Sequence, residues 1–380
     1  MSRRLPFSLP LSVVAPLALL GYTYVGYPLL VGVLARVRPL RTEKDPTYTP
    51  MVSALLPAYN VAGYLDAKLD SLLALDYPAD KFEILVLSDG SNDGTDEILA
   101  RRSKENPRIR YIRSEQRKGK PSGLNVMKKE ARGDILLMTD ARQPLAPGSL
   151  RALVQYFVDP NVGCVSGNLV LEGDAGSGVY WRYENWIREQ EAAFRSMVGV
   201  TGPIYAIRKE DLPELPEDII LDDLYTPMKL RLAGKKLLFE KSAVAVDQAF
   251  DDDREFGRKA RTLAGNYQAF ARLPQLMNPF ANPAFLETFS HKLLRLAGPA
   301  LMATLAASSV SHAFGGKNSG FVTKTFMRGL VGAQAVFYVA AAAGPKAGKL
   351  PGVARTFVMM NAASVVGLWR FVRGAQRVTW

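Results

Sequence analysis

A single cysteine, Cys164, stands in 380 residues. That excludes an intramolecular disulfide and a thiolate metal cluster. Two histidines, His291 and His312, leave little for imidazole chemistry, so acid–base and metal work must fall to the 36 carboxylates. Two nucleotide signatures are missing as well. No Gly-x-Gly-x-x-Gly follows the first expected strand, and Gly119-Lys120-Pro121-Ser122 lacks the upstream glycine spacing of a phosphate-binding P-loop. Both absences count against a dinucleotide enzyme and an NTPase. There is no internal repeat and no low-complexity tract. At 48% hydrophobic residues the chain is not disordered. Its net charge of +12 suits nucleic acid, anionic lipid or a phosphorylated substrate. The positive charge is spread along the chain, which, with the apolar runs, argues against a nucleic-acid partner.

Charge is also missing locally. None lies between Leu5 and Ala35, with Arg3 and Arg4 before the run and Arg36, Arg38 and Arg41 after it. About 20 apolar residues cross a bilayer, and a cleaved signal has a shorter core of about 7–15. The run therefore reads as a retained anchor. Leu296–Gly316 and Gly329–Pro345 repeat the pattern and read as further spans. Thr356–Trp369, only 14 residues between Arg355 and Arg370, is short for a span and suits an interfacial or re-entrant helix. Buried core helices are the competing reading for all three. Positive charge flanks both ends of these runs, so it orients them weakly. The composition divides the chain into an anchor and linker (1–45), a soluble middle (46–275) and C-terminal interfacial or transmembrane helices (276–380).

In the middle, short apolar segments alternate with amphipathic ones. Strands are expected at Met51–Leu56, Phe82–Leu87, Arg108–Ile112 and Asp134–Met138. Helices are expected at Val61–Leu75, Thr95–Ser103, Ser122–Ala131 and Ser149–Phe157. This order predicts an α/β domain with a mostly parallel sheet and helices on both faces. Ligands of such sheets sit at the carboxyl ends of the strands. There the sequence places Pro57-Ala58-Tyr59-Asn60, Ser88-Asp89-Gly90-Ser91-Asn92-Asp93-Gly94-Thr95, Arg117-Lys118-Gly119-Lys120 and Thr139-Asp140-Ala141-Arg142. Each is weak alone, since Asp-Gly makes common turns and Thr95 or Asp93 can cap a helix. Four polar segments in register are a much less likely accident.

Pro57–Asn60, Ser88–Thr95 and Thr139–Arg142 together resemble family 2 glycosyltransferases of the GT-A fold. The resemblance covers about Met51 to Gln275 and is nearest to membrane members such as the cellulose, hyaluronan and poly-N-acetylglucosamine synthases. It implies an inverting transferase that takes a sugar from a nucleotide-sugar, UDP-linked by expectation. The acceptor is then a polysaccharide or a lipid-linked molecule. A polyisoprenyl-phosphate glycosyltransferase and a non-catalytic partner in polysaccharide export are the alternatives. It further implies a multi-pass protein of the inner or plasma membrane with a cytoplasmic catalytic domain.

By the same resemblance, Pro57, Ala58 and Tyr59 line the base pocket, Asp89 binds the nucleoside, and Lys120 meets the uracil or diphosphate. Asp140 matches the first Asp of the family's Asp-x-Asp motif and would hold Mg²⁺ or Mn²⁺, cations that prefer oxygen ligands. Arg142 replaces the second Asp and would contact phosphate directly. Leu221-Asp222-Asp223-Leu224 matches the acidic pair, with Asp223 as base and Asp222 beside it; helix N-terminal charges are the plain alternative. Thr201-Gly202 would lie under the acceptor. Trp181, Glu184, Arg188 and Glu191 share one helix face, with Trp181 and Glu184 expected on the acceptor side, although Glu184 and Arg188 also suit a simple i,i+4 pair. Arg258-Lys259-Ala260-Arg261-Thr262 resembles the Gln-x-x-Arg-Trp motif, with Arg258 and Arg261 left to clamp phosphate. A basic helix on anionic lipid, with Phe256 and Tyr267 interleaved, is the competing reading.

Overall fold

The computed structural model describes residues 9–172, 177–248, 252–315 and 320–379. Short apolar runs with no polar interruption become its central strands. β1 (Val52–Ala58) and β2 (Phe82–Asp89) are buried along their whole length, as parallel strands covered on both faces must be. β3 (Ile109–Ser114), β4 (Ile135–Thr139), β5 (Val162–Glu172), β6 (Ile204–Arg208) and β7 (Lys236–Gln248) complete one seven-stranded sheet in the order β3-β2-β1-β4-β6-β5-β7. Only β6 runs antiparallel to its neighbours, β4 and β5.

The helices, in chain order, are α1 (Leu11–Val37), α2 (Ala62–Leu73), α3 (Thr95–Glu105), α4 (Lys120–Glu130), α5 (Ser149–Val154) and α6 (Ser177–Phe194). They continue as α7 (Asp222–Leu232), α8 (Asp252–Arg272), α9 (Phe285–Phe314), α10 (Phe321–Ala343) and α11 (Lys349–Val372). The period-2 alternation of the strands splits the core in two. Ala54, Leu56, Ile84 and Val86 face Leu65 and Leu69 of α2. Leu55, Leu85 and Leu87 face the other way, onto Leu124 and Met127 of α4. Truncating one such leucine to alanine costs about 2–5 kcal/mol. Helix α4 starts two residues before the expected Ser122, because Pro121 fits the first turn and Gly119, at φ +91°, turns the chain into it.

Helices α1, α9 and α10 are long and apolar enough to cross a membrane. They turn large apolar side chains outward, among them Leu29, Val33, Val310, Val336 and Val339. The run Thr356–Trp369 proves to be part of the 24-residue α11. Val365, Leu368, Trp369 and Val372 are exposed on one face, so it is not a buried core helix. The opposite face is small and lies tight on α8, where a Cβ added to Gly367 would stand 2.8 Å from the Ala264 nitrogen.

These apolar helices are tied to the α/β domain by a buried polar knot. The Tyr27 hydroxyl donates to Glu191 Oε1 at 2.6 Å, and His291 stands between Glu191 (2.7 Å) and Glu184 (3.1 Å). Arg295 closes it with an ion pair to Glu184. Glu184 is thus committed to α9, and the expected i,i+4 pair with Arg188 does not form.

Candidate active site

The carboxyl edge of β1 and β2 is stitched by side chains. Asn60 adopts φ +50°, a left-handed position that Asn tolerates. Its amide exchanges two hydrogen bonds with Asn92, each 3.0 Å. Asp93 accepts from the Ala62 and Thr95 backbone N–H groups, so it caps two helix starts at once. Asp89 is buried at the end of β2. Its two oxygens accept the backbone N–H groups of Lys118 (2.8 Å) and Gly119 (2.7 Å), which fixes the loop ahead of α4. Gly90, at φ +72°, has no room for a side chain there, since a Cβ would stand 3.0 Å from the Arg117 nitrogen. The cleft so formed is lined by Pro57, Ala58, Tyr59, Asp89 and Lys120, all singled out in the sequence, together with Arg117 and Thr379.

Lys120, the first residue of α4, is the hub of the charged centre. Its Nζ lies 3.0 Å from Asp140 Oδ1 and 3.3 Å from Asp222 Oδ2. Burial alone would discharge it, but Asp140, Asp222 and Asp223 together hold it charged, far above the ordinary lysine range. Burial and the neighbouring charge of Asp222 push the Asp223 carboxyl up to about 6, against the pull of Lys120. Asp222 and Asp223 open α7, so the plain alternative of helix-dipole partners is met at the same time. Thr201-Gly202 packs directly on Asp223. A Cβ on Gly202 would stand 2.8 Å from Asp223 Oδ2, which explains a glycine here. Thr201 is held by its N–H to Ser166 Oγ (2.9 Å) and accepts a bond from Arg188 (3.3 Å).

Of the other expected residues, Arg142, Arg258 and Trp181 lie apart from this centre and Arg261 borders it. Arg142 pairs with Asp247 Oδ2 at 2.7 Å, on the β7 side of the loop. Arg258, half exposed on α8, pairs with Glu255 at 3.6 Å. Arg261 reaches the Ile220 and Val378 carbonyls, each 3.2 Å away, beside the acidic pair. Trp181 donates its indole N–H to the Leu169 carbonyl (2.6 Å) and sits with Glu184 and Arg188 in a separate cavity.

Three features escaped the sequence reading. Lys68 of α2 is buried under the Asp140 loop and donates to Thr139 Oγ1 (2.6 Å) and the Gln143 carbonyl (2.5 Å). Burial pushes its ammonium down to about 7, against the opposing pull of Asp140. An apolar helix face gave no sign of it. The Arg117 guanidinium stacks 3.6 Å from the Tyr59 ring centre, which a basic loop does not announce. The tail returns after α11, so that Val378 and Thr379 touch the Gly119 position and Thr379 enters the cleft.

The donor set bears on a divalent cation. Asp140 is one-third exposed, and three carboxylates surround one ammonium. No group of three or more His, Cys, Asp or Glu side chains poised to hold a metal occurs among the described residues. One hard carboxylate open to solvent fits Mg²⁺ or Mn²⁺ bound largely through substrate phosphates, the usual arrangement for Mg²⁺.

A mostly parallel sheet with a cation and three carboxylates gathered at its carboxyl edge has the layout of the GT-A fold. Residues 53–214 match the family model described as glycosyl transferase family 2. Among curated relatives, the chain is 25% identical over 194 residues to a beta-monoglucosyldiacylglycerol synthase of Synechocystis, covering 48% of this chain and 40% of that protein. It is 26% identical over 203 residues to a poly-beta-1,6-N-acetyl-D-glucosamine synthase of Staphylococcus aureus, covering 51% of this chain and 48% of that protein. The chain therefore spans about half the length or less of these curated relatives. Among solved structures it is similar to the mannosyltransferase PcManGT of Pyrobaculum calidifontis in complex with GDP-Man and Mn²⁺, with a TM-score of 0.76 and 25% identity, over 95% of this chain and 99% of that one.

Proposed function

We propose that this chain is an inverting glycosyltransferase that moves a sugar from a nucleoside-diphosphate donor to a hydroxyl acceptor at the membrane. The observation that carries the reading is the Lys120–Asp140–Asp222–Asp223 cluster, set between the cleft at Tyr59 and Asp89 and the Thr201-Gly202 shelf. Asp223 takes the proton of the acceptor hydroxyl as its oxygen attacks the anomeric carbon. The bond from that carbon to the β-phosphate oxygen breaks, and the nucleoside diphosphate leaves with the electron pair. A single base and in-line attack invert the anomeric centre. Lys120 offsets the charge that grows on the diphosphate. Asp140 would hold the Mg²⁺ or Mn²⁺, which supplies Lewis-acid stabilisation of the leaving group. Arg261 faces the same space from α8, whereas Arg142, paired to Asp247, serves to fix the Asp140 loop. The sequence motifs favour a UDP-linked sugar; the likeness to a mannosyltransferase holding GDP-Man, which covers 95% of the chain, favours a GDP-linked one, and we adopt the latter. The length and apolar character of helices α1, α9 and α10 support a multi-pass membrane protein, and the cytosolic supply of nucleotide-sugars supports an α/β domain on that side. The test is nucleotide release by the detergent-purified protein across GDP-, UDP- and dTDP-sugars with Mg²⁺ or Mn²⁺ and added membrane lipid. Release from one donor, lost in Asp223→Asn with donor binding kept, is the expected result. Donor binding with no turnover under any lipid condition would overturn the catalytic reading in favour of a non-catalytic partner.

A further inference from the structure

Lys68 sits on a face of α2 that is otherwise leucine. Leu65, Leu69 and Leu72 around it are fully buried, and Lys68 itself is 1% exposed. Burying an ammonium carries a cost that a methionine of similar volume would not. Burial disfavours the charge, and the nearby carboxylate of Asp140 opposes that. Packing therefore does not call for a lysine here. What the lysine adds is two hydrogen bonds, to Thr139 Oγ1 (2.6 Å) and to the Gln143 carbonyl (2.5 Å).

The first of these bonds fixes another. An ammonium only donates, so the Thr139 oxygen accepts from Lys68 and its own proton is left for a second acceptor. That acceptor is the Pro203 carbonyl, 2.9 Å away. Thr139 is buried, which keeps water from either bond, and bonds in such a chain strengthen one another. Thr139 and Ile204 are the last pair of the β4–β6 ladder. Beyond it the chains part, one to Asp140 and the other to Pro203, and the threonine hydroxyl ties them. The Pro203 side leads on to Asp223. The Ile204 N–H closes a turn on the Thr201 carbonyl (2.9 Å), and the Val200 N–H donates to the Asp223 backbone carbonyl (3.1 Å). Gly202, within that turn, is the residue with no room for a side chain beside Asp223 Oδ2.

We propose that Lys68 is a positioning residue for the transfer step: through the Thr139 hydroxyl it sets the spacing between Asp140 on the donor side and the Thr201–Pro203 shelf beside Asp223 on the acceptor side. This rests on the transferase reading of the Asp140 and Asp223 site and deepens it. Lys68 touches neither substrate. It acts by holding the leaving-group side and the attacking side in one frame, where a misplacement of about 1 Å costs about 100-fold in rate.

The experiment compares the parent with Lys68→Met, Thr139→Val, Thr139→Ser and the double variant Lys68→Met/Thr139→Val, each as the detergent-purified full chain. In Lys68→Met and in Thr139→Val, kcat for nucleotide release should fall at least about tenfold, while the Kd of GDP or UDP with Mn²⁺ changes less than about threefold. The thermal midpoint of Lys68→Met should not fall. Thr139→Ser keeps both bonds and should keep the parental kcat. Either single change breaks the same link, so the double variant should lose no more than one of them. Full activity in Thr139→Val, or rate losses that multiply in the double variant and follow the thermal midpoint, would overturn the proposal and leave Lys68 a structural brace. A second readout needs no turnover. Binding of GDP or UDP with Mn²⁺ should slow hydrogen exchange in segment 200–206 of the parent and not of Thr139→Val; equal slowing in both would sink the link. A parent that binds nucleotide without turnover fails the catalytic reading and leaves this comparison intact. A parent that binds none fails the donor site, and the link is then read without ligand: Thr139→Val should exchange faster than the parent at 200–206, and equal rates would overturn it.

Discussion

The base proposed at Asp223 has a pH signature. Burial and the charge of Asp222 hold its carboxyl at about 6 rather than the ordinary 3.8. A base with that value is about one-tenth ionised at pH 5 and about nine-tenths at pH 7, so kcat/KM should rise about ninefold between them. A carboxylate at its ordinary value would be almost wholly ionised at pH 5 and the profile would be flat. The limb belongs to the Asp222–Asp223 pair as a unit, because neighbouring carboxylates lose their protons in coupled steps. Lys120 lowers the value, so Lys120→Gln should move the limb to higher pH besides weakening donor binding. Stability carries the opposite sign from activity. Since the folded state holds the Asp223 proton more tightly than the unfolded chain, this group's contribution falls as pH rises from 4 to 7, by up to about 3 kcal/mol. Asp223→Asn should therefore abolish transfer and raise the thermal midpoint at pH 7, with less gain at pH 4. The assay pairs nucleotide release from pH 5 to 7.5 with thermal unfolding of parent and variant. A flat rate profile, or an Asn variant that is less stable at pH 7, would refute the placement of a strained, half-buried base.

Further outcomes follow from single contacts. Gly202→Ala puts a methyl 2.8 Å from the Asp223 carboxylate oxygen, and the displaced base should cost about 100-fold in kcat with donor Kd unchanged, read by release kinetics and nucleotide titration. The cleft beside Tyr59 holds only about 20 Å³ while Thr379 lines it, too little for a nucleobase, so removal of residues 375–380 should tighten nucleoside diphosphate binding several-fold in calorimetry. Glu83 is buried and accepts from Ser53 (2.6 Å), the Arg132 N–H (2.7 Å) and Arg110 (2.9 Å). Burial alone would raise its pKa, but these bonds hold it below the usual glutamate value. Its stabilisation is therefore present above pH 5 and lost as pH falls through that lowered value. Glu83→Gln should cost about 2 kcal/mol at pH 7, seen as a lower thermal midpoint, and much less at acid pH.

What the sequence made legible is what local rules govern. The strands from Met51 to Met138 read correctly because each is a short apolar run closed by turn residues, and the loops after them carry polar groups because strand ends of a parallel sheet must. That logic put Lys120 and Asp140 at one edge of the sheet without any knowledge of distance, and only the resemblance of Leu221-Asp222-Asp223-Leu224 to the family's acidic pair added Asp222 and Asp223. It faltered where one side chain had several partners within reach. Glu184 stands one helical turn from Arg188, the spacing of an i,i+4 pair, yet Arg295 and His291 arrive from a helix a hundred residues on and outcompete it, since a buried carboxylate gains more from a buried guanidinium than from a half-exposed one. Arg142 likewise finds Asp247 across the sheet.

These departures are connected. With Arg142 drawn to Asp247 and Lys68 pinning Thr139 and the Gln143 carbonyl from below, the Thr139–Gln143 loop is held on two sides, and Asp140 alone faces the cluster. The residue that replaces the second motif Asp thus becomes a brace for the first. Lys120 lies within reach of Asp140 and Asp222 at once, and on the transferase reading its fixed positive charge would offset diphosphate charge alongside any cation held by Asp140. Donor binding in this chain should accordingly depend less steeply on metal than a two-carboxylate site would. Nucleoside diphosphate affinity measured with Mn²⁺ and with chelator should differ modestly in the parent and much more in Lys120→Gln. An equal metal effect in both proteins would mean that Lys120 and the cation do not share the diphosphate, and that the ammonium serves only to keep Asp140 and Asp222 apart.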